Sequence, residues 1–378
     1  NRGVRELLPG DTLTVRGGVY RESVVLDLIG RPDKPITIQA APGETVVVKG
    51  SEVVTGWEKD GDVWRKTGWT DEFVRQFAVG GRLVSANVHE VFQRDGVRDD
   101  AVVLLRVRTP EELREGKCYW DQASGTITIW PVDTGEPFDP NNPGVEVPVR
   151  GWGITVGKRH VRVRGFQMRQ FNMAGVTNWS SSGVGGLDCS LEDCIVTWAN
   201  FVGISMSGFD NRILRCEASY CGNSGMGAGV GENQLIEDCV VTHNNYWRYS
   251  PGWHGGGAKL IPWFNKSTVR NSEFAFNYGP GLWFDGSCND SVIEGCYCHD
   301  NEGPGIMVEI SRGVIVRNNV CVNNRNTLPG IDLSPLEKKG YAPVNCQATR
   351  TEGGSGGNGI FISSSPHTKA YNNLCYRN

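Results

Sequence analysis

The sequence lacks several features that would place it in a familiar class of proteins. It contains no run of eighteen apolar residues, so we expect no membrane-spanning helix and no membrane partner. Its 38 lysines and arginines are outnumbered by 42 acidic residues, which gives a formal net charge of −4. Because proteins that bind nucleic acids usually carry an excess of basic residues, we expect no nucleic-acid partner.

Metal-binding cysteine pairs are also missing, although the chain contains 12 cysteines. No two cysteines have C-x-x-C spacing, so we predict neither a metal site nor a cofactor. Repeated phrases such as SLEDC and LIEDC instead end in a small residue. We predict that these small residues form one column at an interior corner: Cys194, Cys216, Cys239, Ser272, Cys296 and Asn319. Buried free cysteine packs as a small apolar side chain.

Glycine is abundant, with 50 residues and no collagen-like period. From residue 151 onward, glycines open a series of short segments: GVTNWSS at 175, GISMSGF at 203, GMGAGVG at 225, GAKLIPW at 257, GLWFDGS at 281, GIMVEIS at 305 and GIFISSS at 359. A second short strand follows each opening strand, and asparagine-rich turns such as HNN, HDN and VNN come after it. Long helical periodicity is missing.

Such a repeat is typical of a right-handed parallel β-helix, in which stacked coils bury a continuous core. We therefore predict an all-β solenoid. Residues 1–56 fit its N-terminal coils, and residues 146–378 fit the main part that carries the site. Residues 57–145 break the rhythm, and we predict an inserted β-rich, sandwich-like subdomain there.

The strand pattern separates core positions from outward positions. Alternate residues of a strand face opposite sides of a sheet. The first and third residues after each opening glycine are nearly all apolar, from Ile204 and Met206 to Ile360 and Ile362, so we expect them to face the core. The second and fourth residues then face outward.

Two acids occupy the fourth position of consecutive coils. Asp285 and Glu309 are separated by 309 − 285 = 24 residues. Neighbouring strands lie about 4.7–4.9 Å apart, and retaining glycosidases hold two carboxyl groups about 5–5.5 Å apart. Because two carboxylates this close cannot both ionise easily, one pKa should rise. We interpret the pair as catalytic rather than as solvated surface acids, with Asp285 as the ionised nucleophile and Glu309 as the general acid.

The surroundings of the acids supply candidate substrate-binding residues. Lys259 and Trp283 occupy the outward second column, and His254 and Trp253 belong to the loop that leads to Lys259. The positive charge of Lys259 should keep one carboxylate ionised. Rings near this loop are predicted either to stack on sugars or to pack against the coils: Tyr246, Trp247, Tyr249, Trp253 and Trp263. A second long loop, residues 325–358, is expected to wall the site.

The motifs GGGAK, GPGLWFD and GPGIMVEIS resemble those of the bacterial right-handed β-helix glycosidases of glycoside hydrolase family 120, which act as β-xylosidases. The resemblance covers residues 254–311. It implies a β-helix interrupted by an outer β-sandwich, which residues 57–145 would supply. It also implies that Asp285 is the nucleophile and that Glu309, one coil later, is the acid/base.

The sequence thus predicts a retaining glycoside hydrolase that cleaves β-linked sugars of plant or microbial polysaccharides or oligosaccharides. Two alternatives stay open. One is a polysaccharide lyase that acts on uronate polymers with Lys259 as its base, and the other is a non-catalytic carbohydrate-binding β-helix. We expect an oligosaccharide or polysaccharide as the partner and a secreted or extracytoplasmic location, while a cytoplasmic location and a homo-oligomer are left open.

Overall fold

The structure is a computed structural model that describes most of residues 3–378. The segments outside the description are 71–76, 80–81, 85–89, 94–101, 108, 134, 136–137, 143, 157, 179–184, 248, 250–253 and 326–356. The second loop predicted to wall the site, residues 325–358, lies almost entirely outside the described residues.

Three long parallel sheets run side by side along one axis. The first sheet contains the strands Thr12–Val15, Ile36–Ala40, Val161–Arg164, Ser190–Glu192, Arg212–Leu214, Leu235–Glu237, Thr268–Arg270, Val292–Glu294, Ile315–Arg317 and Lys369–Tyr371. The second contains Gly18–Tyr20, Val46–Lys49, Phe166–Arg169, Ile195–Thr197, Glu217–Ser219, Val240–Thr242, Glu273–Ala275, Tyr297–His299, Val320–Val322 and Leu374–Tyr376. The third contains Val24–Val25, Trp152–Thr155, Ala174–Thr177, Val202–Ser205, Ser224–Ala228, Gly256–Leu260, Leu282–Asp285, Ile306–Glu309 and Ile360–Ser363.

In the main part, the strands of these three sheets follow one another along the chain in the order third, first, second, so each turn of the chain forms one coil. The predicted all-β parallel β-helix is therefore confirmed. Within the described residues, the helical elements are two short 3-10 turns, Gly3–Glu6 and Pro110–Glu112. None of the helices in this part of the chain is long and apolar enough to cross a membrane.

The core follows the predicted alternation with one exception. Leu282, Phe284, Ile306 and Val308 are fully buried inside the coils. Ile362 was expected in the core but is 40% exposed. It lies on Ile360–Ser363, the edge strand of the third sheet, so a strand of this sheet covers it on one side only.

The predicted corner column is also confirmed. Its six residues are at most 2% exposed: Cys194, Cys216, Cys239, Ser272, Cys296 and Asn319. Each follows a residue at positive φ, such as Asp193 or Asp238, where the chain turns from the first to the second sheet. Small side chains fit this corner, because bulkier ones would meet the coils stacked on either side.

A second corner aligns the coils that carry the two acids. Four fully buried asparagines, Asn244, Asn277, Asn301 and Asn324, occupy the turn from the second to the third sheet. Each of the first three donates from its side-chain amide to the Oδ1 atom of the next, over 2.9–3.0 Å. This ladder fixes the register of successive coils, because every buried amide finds its partner only in that register.

An eight-stranded sheet lies between the N-terminal coils and the main part of the β-helix in sequence. Its strands, in spatial order, are Ser51–Val54, Val145–Pro148, Glu90–Gln93, Val102–Arg106, Lys117–Asp121, Thr126–Trp130, Val63–Lys66 and Glu58–Asp60. Three two-stranded sheets complete the described strands: Phe77–Val79 with Arg82–Val84, Gly186–Leu187 with Gly208–Phe209, and Gly231–Glu232 with Phe264–Asn265. The domain division at residues 57 and 145 stays a prediction.

Candidate active site

The two acids are register partners on adjacent strands of the third sheet. Leu282–Asp285 pairs in parallel with Ile306–Glu309, and Asp285 stands directly opposite Glu309. Both acids are half-buried, while Phe284 and Val308, which precede them, are fully buried. The acids therefore lie on the outer face, at the two neighbouring positions that the spacing of 24 residues predicts.

Glycine lets these two strands begin in register. A methyl group on Gly281 would lie 2.7 Å from the carbonyl oxygen of Gly305 and 2.8 Å from the Nδ2 atom of Asn301. Both distances are shorter than van der Waals contact. The asparagine ladder can therefore pack against the start of the acid-bearing strands only where the side chain is absent.

Lys259 joins the acid pair from the preceding coil. It is the register partner of Trp283, and its side chain is 5% exposed. The Nζ atom lies 2.9 Å from Oδ2 of Asp285 and 3.4 Å from the centroid of the Trp283 ring. The ammonium thus crosses the face of Trp283 and forms an ion pair with the acid two positions farther along that strand.

Burial and nearby charges shift the pKa values of Glu309 and Lys259, the two ionisable neighbours of Asp285. Burial raises the pKa of Glu309, and the negative charge of Asp285 raises it further, against a smaller opposing effect of Lys259. Burial lowers the pKa of Lys259, while Asp285 opposes that change. The site therefore favours the protonated form of Glu309 more than water does, beside the ion pair of Lys259 and Asp285.

His254 reaches the site from the turn before Gly256–Leu260 and is half-buried. Its Nδ1 atom is hydrogen-bonded to Oδ1 of Asn223, and its ring stacks on Phe201 with the centroids 5.7 Å apart. Burial and the nearby charge of Lys259 lower the pKa of His254 to about 3. Its imidazole is therefore neutral at ordinary pH and can both donate and accept hydrogen bonds.

The aromatic rings of the loop before Lys259 face inward rather than toward a ligand. Tyr246 and Trp247 are fully buried, and Tyr249 is 7% exposed. The indole N–H of Trp247 donates to Oδ1 of Asn200 over 2.8 Å. The prediction that these three rings stack on sugars is therefore wrong, and the alternative, that they pack against the coils, is confirmed. Trp263 is 55% exposed and has an open surface.

The other predicted rings have different positions. Trp253 lies outside the described residues, so its assignment stays a prediction. Trp283 is 2% exposed, which rules out an open stacking platform. Its buried Nε1 atom has no hydrogen-bond partner among the described residues. The structure thus brings Lys259, Trp283, Asp285 and Glu309 together, with Lys259 close enough to affect the ionisation of His254.

Sequence reasoning missed the residue that orients His254. Asn223 is fully buried and lies 31 residues before His254, in the phrase CGNSG that opens an earlier coil. The same N-x-G spacing occurs in the ladder at Asn277 and Asn301, and this is the sequence signal that could have pointed to Asn223. Within the described part of the chain, no group of three or more His, Cys, Asp or Glu side chains is arranged to hold a metal ion.

The comparison with protein families agrees with this architecture. Residues 174–374 match the family described as a right handed beta helix region. The chain belongs to this right-handed β-helix family. No curated protein sequence matches this β-helix.

Solved structures resemble this chain at low sequence identity. XylC, solved in complex with xylose, is 19% identical to this β-helix, with a TM-score of 0.64, and the alignment covers 86% of this chain and 65% of XylC. The chain therefore spans slightly less than two thirds of the length of XylC. A structure named glycoside hydrolase is 12% identical with a TM-score of 0.49, covering 97% of this chain and 89% of that one. The pectate lyase Pel9A is 13% identical with a TM-score of 0.44, covering 98% and 73%.

Proposed function

We propose that this β-helix is a retaining glycoside hydrolase that cleaves β-linked sugars of plant or microbial oligosaccharides or polysaccharides. The observation that carries the proposal is the register pairing of Asp285 with Glu309 on adjacent outer strands. A strand spacing of about 4.7–4.9 Å matches the separation of about 5–5.5 Å that double displacement requires. An inverting enzyme needs more room, since a water molecule must fit beside the sugar.

In the first step, the ionised carboxylate of Asp285 attacks the anomeric carbon. The bond from that carbon to the leaving-group oxygen breaks, and this oxygen takes the proton of Glu309. The raised pKa of Glu309 keeps that proton available. The products of the step are a glycosyl ester on Asp285 and a released alcohol.

In the second step, a water molecule attacks the same carbon from the side that the leaving group vacated. Glu309, now a carboxylate, takes a proton from this water, and the bond to Asp285 breaks. The sugar leaves with retained configuration, and both acids return to their starting protonation. Two inversions at one carbon account for the retention.

Lys259 and His254 position the reacting groups in this proposal. The ammonium of Lys259, 2.9 Å from Oδ2 of Asp285, orients the nucleophile and leaves the other carboxylate oxygen for attack. The neutral ring of His254 donates from Nδ1 to Oδ1 of Asn223, so that Nε2 is its acceptor nitrogen and can take a hydrogen bond from a sugar hydroxyl. The fold likeness to XylC, which was solved with xylose, makes β-xylosides the first substrates to test.

The test is hydrolysis of a panel of 4-nitrophenyl β-glycosides, with proton NMR of the sugar that is released first. We expect the β-anomer to appear before mutarotation. Release of the α-anomer would contradict double displacement and would show that the enzyme inverts the configuration. Saccharide binding without turnover of any glycoside or uronate polymer would favour the non-catalytic β-helix.

One observation favours a second candidate, a polysaccharide lyase. Burial lowers the pKa of Lys259, as a base that removes a proton beside a uronate carboxylate requires. The ion pair with Asp285 works against this role, because it stabilises the protonated amine. Incubation with polygalacturonate would separate the two candidates, since a lyase releases an unsaturated uronate that absorbs ultraviolet light and a hydrolase does not.

We also propose an extracytoplasmic location, because polymeric substrates cannot enter a cell intact. Fractionation of the source cells, followed by assay of each fraction on 4-nitrophenyl β-xyloside, tests this location. Recovery of the activity in the cytoplasmic fraction would contradict it and would point to short, imported oligosaccharides as substrates.

A further inference from the structure

Lys259 and Trp283 belong to a column of outward positions on successive coils. On the coil before Lys259, this column is occupied by Gly227, which has no side chain. Along this column of the third sheet, Ser205 pairs in register with Gly227, Gly227 with Lys259, and Lys259 with Trp283. Gly227 is half-buried and therefore reachable from outside. The result is a gap on the outer surface, bounded by the Ser205 hydroxyl on one side and by Lys259 on the other.

The fold itself does not require a glycine at position 227. A methyl group there would meet the Lys259 carbonyl oxygen at 3.7 Å and Oγ of Ser205 at 3.9 Å, which are ordinary contacts. By contrast, a methyl group on Gly225, two residues earlier, would lie 2.5 Å from Nδ2 of Asn244. Gly227 is also absent from the glycines with positive φ. Because glycine weakens a strand interior, its presence here favours a role outside the fold, such as close approach of a ligand.

Unsatisfied polar atoms near the gap are an independent observation. Ser224 is fully buried, and its hydroxyl has no hydrogen-bond partner among the described residues. Ser224 pairs in register with Val202 on the preceding coil. The Cγ1 atom of Val202 lies 3.9 Å from where a methyl group on Gly227 would be, so this pair borders the gap. Buried polar atoms without partners are costly and rare in folded proteins.

Two further polar atoms share this property, one beside Ser224 in the chain and one on the strand after Lys259. Nδ2 of Asn223, next to Ser224, is buried without a partner in the described part of the chain, and so is Nε1 of Trp283, beyond Lys259. A sugar hydroxyl both donates and accepts hydrogen bonds, so it is chemically complementary to these N–H and O–H groups.

We propose that the gap above Gly227 binds a second, uncharged sugar unit of the substrate, on the non-reducing side of the cleaved bond. Gly227 lies two coils before Asp285, about 10 Å along the axis at the usual strand spacing. That distance is beyond the ring that Asp285 attacks and within reach of the next ring. The gap lies on the side of Asp285 away from Glu309, whereas the leaving group belongs beside Glu309.

The charges around the gap favour an uncharged unit. The Lys259 ammonium is already paired with Asp285 at 2.9 Å, and the His254 ring is neutral because its pKa is about 3. The other polar groups assigned to the gap among the described residues, those of Ser205, Ser224, Asn223 and Trp283, are uncharged. A uronate carboxylate at this place would have to compete with Asp285 for Lys259. This inference rests on the proposed function, because it takes Asp285 as the nucleophile, and the position of the nucleophile defines where the first sugar ring lies.

The test compares Gly227→Leu with wild type on 4-nitrophenyl β-xyloside and 4-nitrophenyl β-xylobioside. Gly151→Leu is the matched control, because a methyl group on Gly151 would contact only Cγ of Met173, at 3.8 Å, on a coil far from the acids. We expect Gly227→Leu to raise KM for the xylobioside about tenfold, as expected when hydrogen bonds to a bound unit are lost. Its KM for the monosaccharide glycoside should match that of wild type. The control should change neither value.

Several outcomes would overturn the inference. An unchanged KM for the xylobioside in Gly227→Leu would show that the second sugar unit does not bind in this gap. An equal rise in KM for both substrates would show that the first sugar ring binds there instead. Gly227→Ala, whose added methyl fits, guards against a folding defect: its melting temperature should equal or exceed that of wild type while its KM for the xylobioside still rises.

Direct binding keeps the inference distinct from the proposed function. If wild type hydrolyses neither glycoside, binding of xylobiose is measured instead, by titration of the tryptophan fluorescence of wild type and both variants. Binding by wild type and Gly151→Leu but not by Gly227→Leu would support the gap while the proposed function fails, and no binding by wild type would overturn both. Tighter binding of digalacturonate than of xylobiose would overturn the uncharged character of the unit.

Discussion

Asp285 and Glu309 are register partners, yet their surroundings differ. Lys259 Nζ lies 2.9 Å from Oδ2 of Asp285, whereas burial and the charge of Asp285 raise the pKa of Glu309. A repeated position on two coils thus holds one acid in an ion pair and one that tends to keep its proton. This difference between the two acids allows variants of each to be distinguished by experiment.

Removal of each acid should impair a different step. Asp285→Ala should lose nearly all turnover on every substrate, because no glycosyl ester can form. Glu309→Ala should keep a fast first step on 2,4-dinitrophenyl glycosides, whose leaving group needs no proton. Its slow second step should be accelerated by azide, which attacks without general-base help. Stopped-flow release of the phenol and steady-state rates with azide measure both steps.

The configuration of the azide product checks the assignment. Glu309→Ala should give the glycosyl azide with retained configuration, since azide replaces water in the second displacement. If azide instead restores activity to Asp285→Ala with an inverted product, the two roles are exchanged. Unchanged turnover in both variants would remove the pair from catalysis.

Lys259→Met should lower kcat/KM by at least about 100-fold, because the nucleophile loses the group that orients it. Lys266→Met is a suitable control, since Lys266 forms an exposed ion pair with Glu232 at 3.0 Å. Kinetics on 4-nitrophenyl β-xyloside and thermal melting of both variants separate catalysis from stability. Equal kcat/KM in Lys259→Met and wild type would reduce Lys259 to a structural residue.

The pH dependence should report the proton of Glu309. Because burial and Asp285 raise its pKa above the ordinary value of 4.5, the acid stays protonated to higher pH than a solvent-exposed glutamate. On substrates with poor leaving groups, kcat/KM should fall as pH rises through this raised pKa. That alkaline fall should be absent for Glu309→Ala on dinitrophenyl glycosides. Its persistence there would assign the ionisation to another group.

His254 should make stability depend on pH. Its pKa is about 3 in the folded state against an ordinary 6.5, so the unfolded chain binds the proton more readily between these values. The free energy of unfolding should therefore fall as pH falls from 6.5 toward 3. His254→Gln should show a flatter dependence in urea titrations across this window. The same slope in the variant would contradict the neutral imidazole of His254 in the folded protein.

A buried ion cluster at the margin of the eight-stranded sheet should matter for stability. Glu146 is fully buried, with Lys49 Nζ and Arg21 Nη2 each 2.8 Å from its carboxylate. Although burial opposes it, the contacts with Arg21 and Lys49 lower the pKa of Glu146 to about 2. Glu146→Gln should reduce the free energy of unfolding by about 3–5 kcal/mol, because the cations lose their partner.

Urea unfolding at neutral pH tests this loss, with Glu44→Gln as the control. Glu44 pairs with Arg16 on the surface, so its replacement should change stability little. In wild type, the stability from Glu146 should be present above pH 4.5 and lost as pH falls toward 2. Equal midpoints for the two variants would mean that the cluster contributes no more than a surface pair.

The repeat pattern was sufficient to predict the fold and the placement of the two acids. Glycine spacing predicted the coils, strand alternation predicted the buried residues, and the 24-residue interval placed Asp285 opposite Glu309. These features depend on contacts between equivalent positions of successive coils. A periodic sequence states such contacts directly, because each coil repeats the last.

The tertiary structure alone decided which neighbours contact the acids. Register places Lys259 beside Trp283, and only its side-chain conformation carries the ammonium across that ring to Asp285. The loop rings of Tyr246 and Trp247 turned inward, and Asn223 came to hold His254 across 31 residues. Loop conformation depends on packing between residues that no period relates, so a repeat pattern predicts the coils and leaves the loops undetermined.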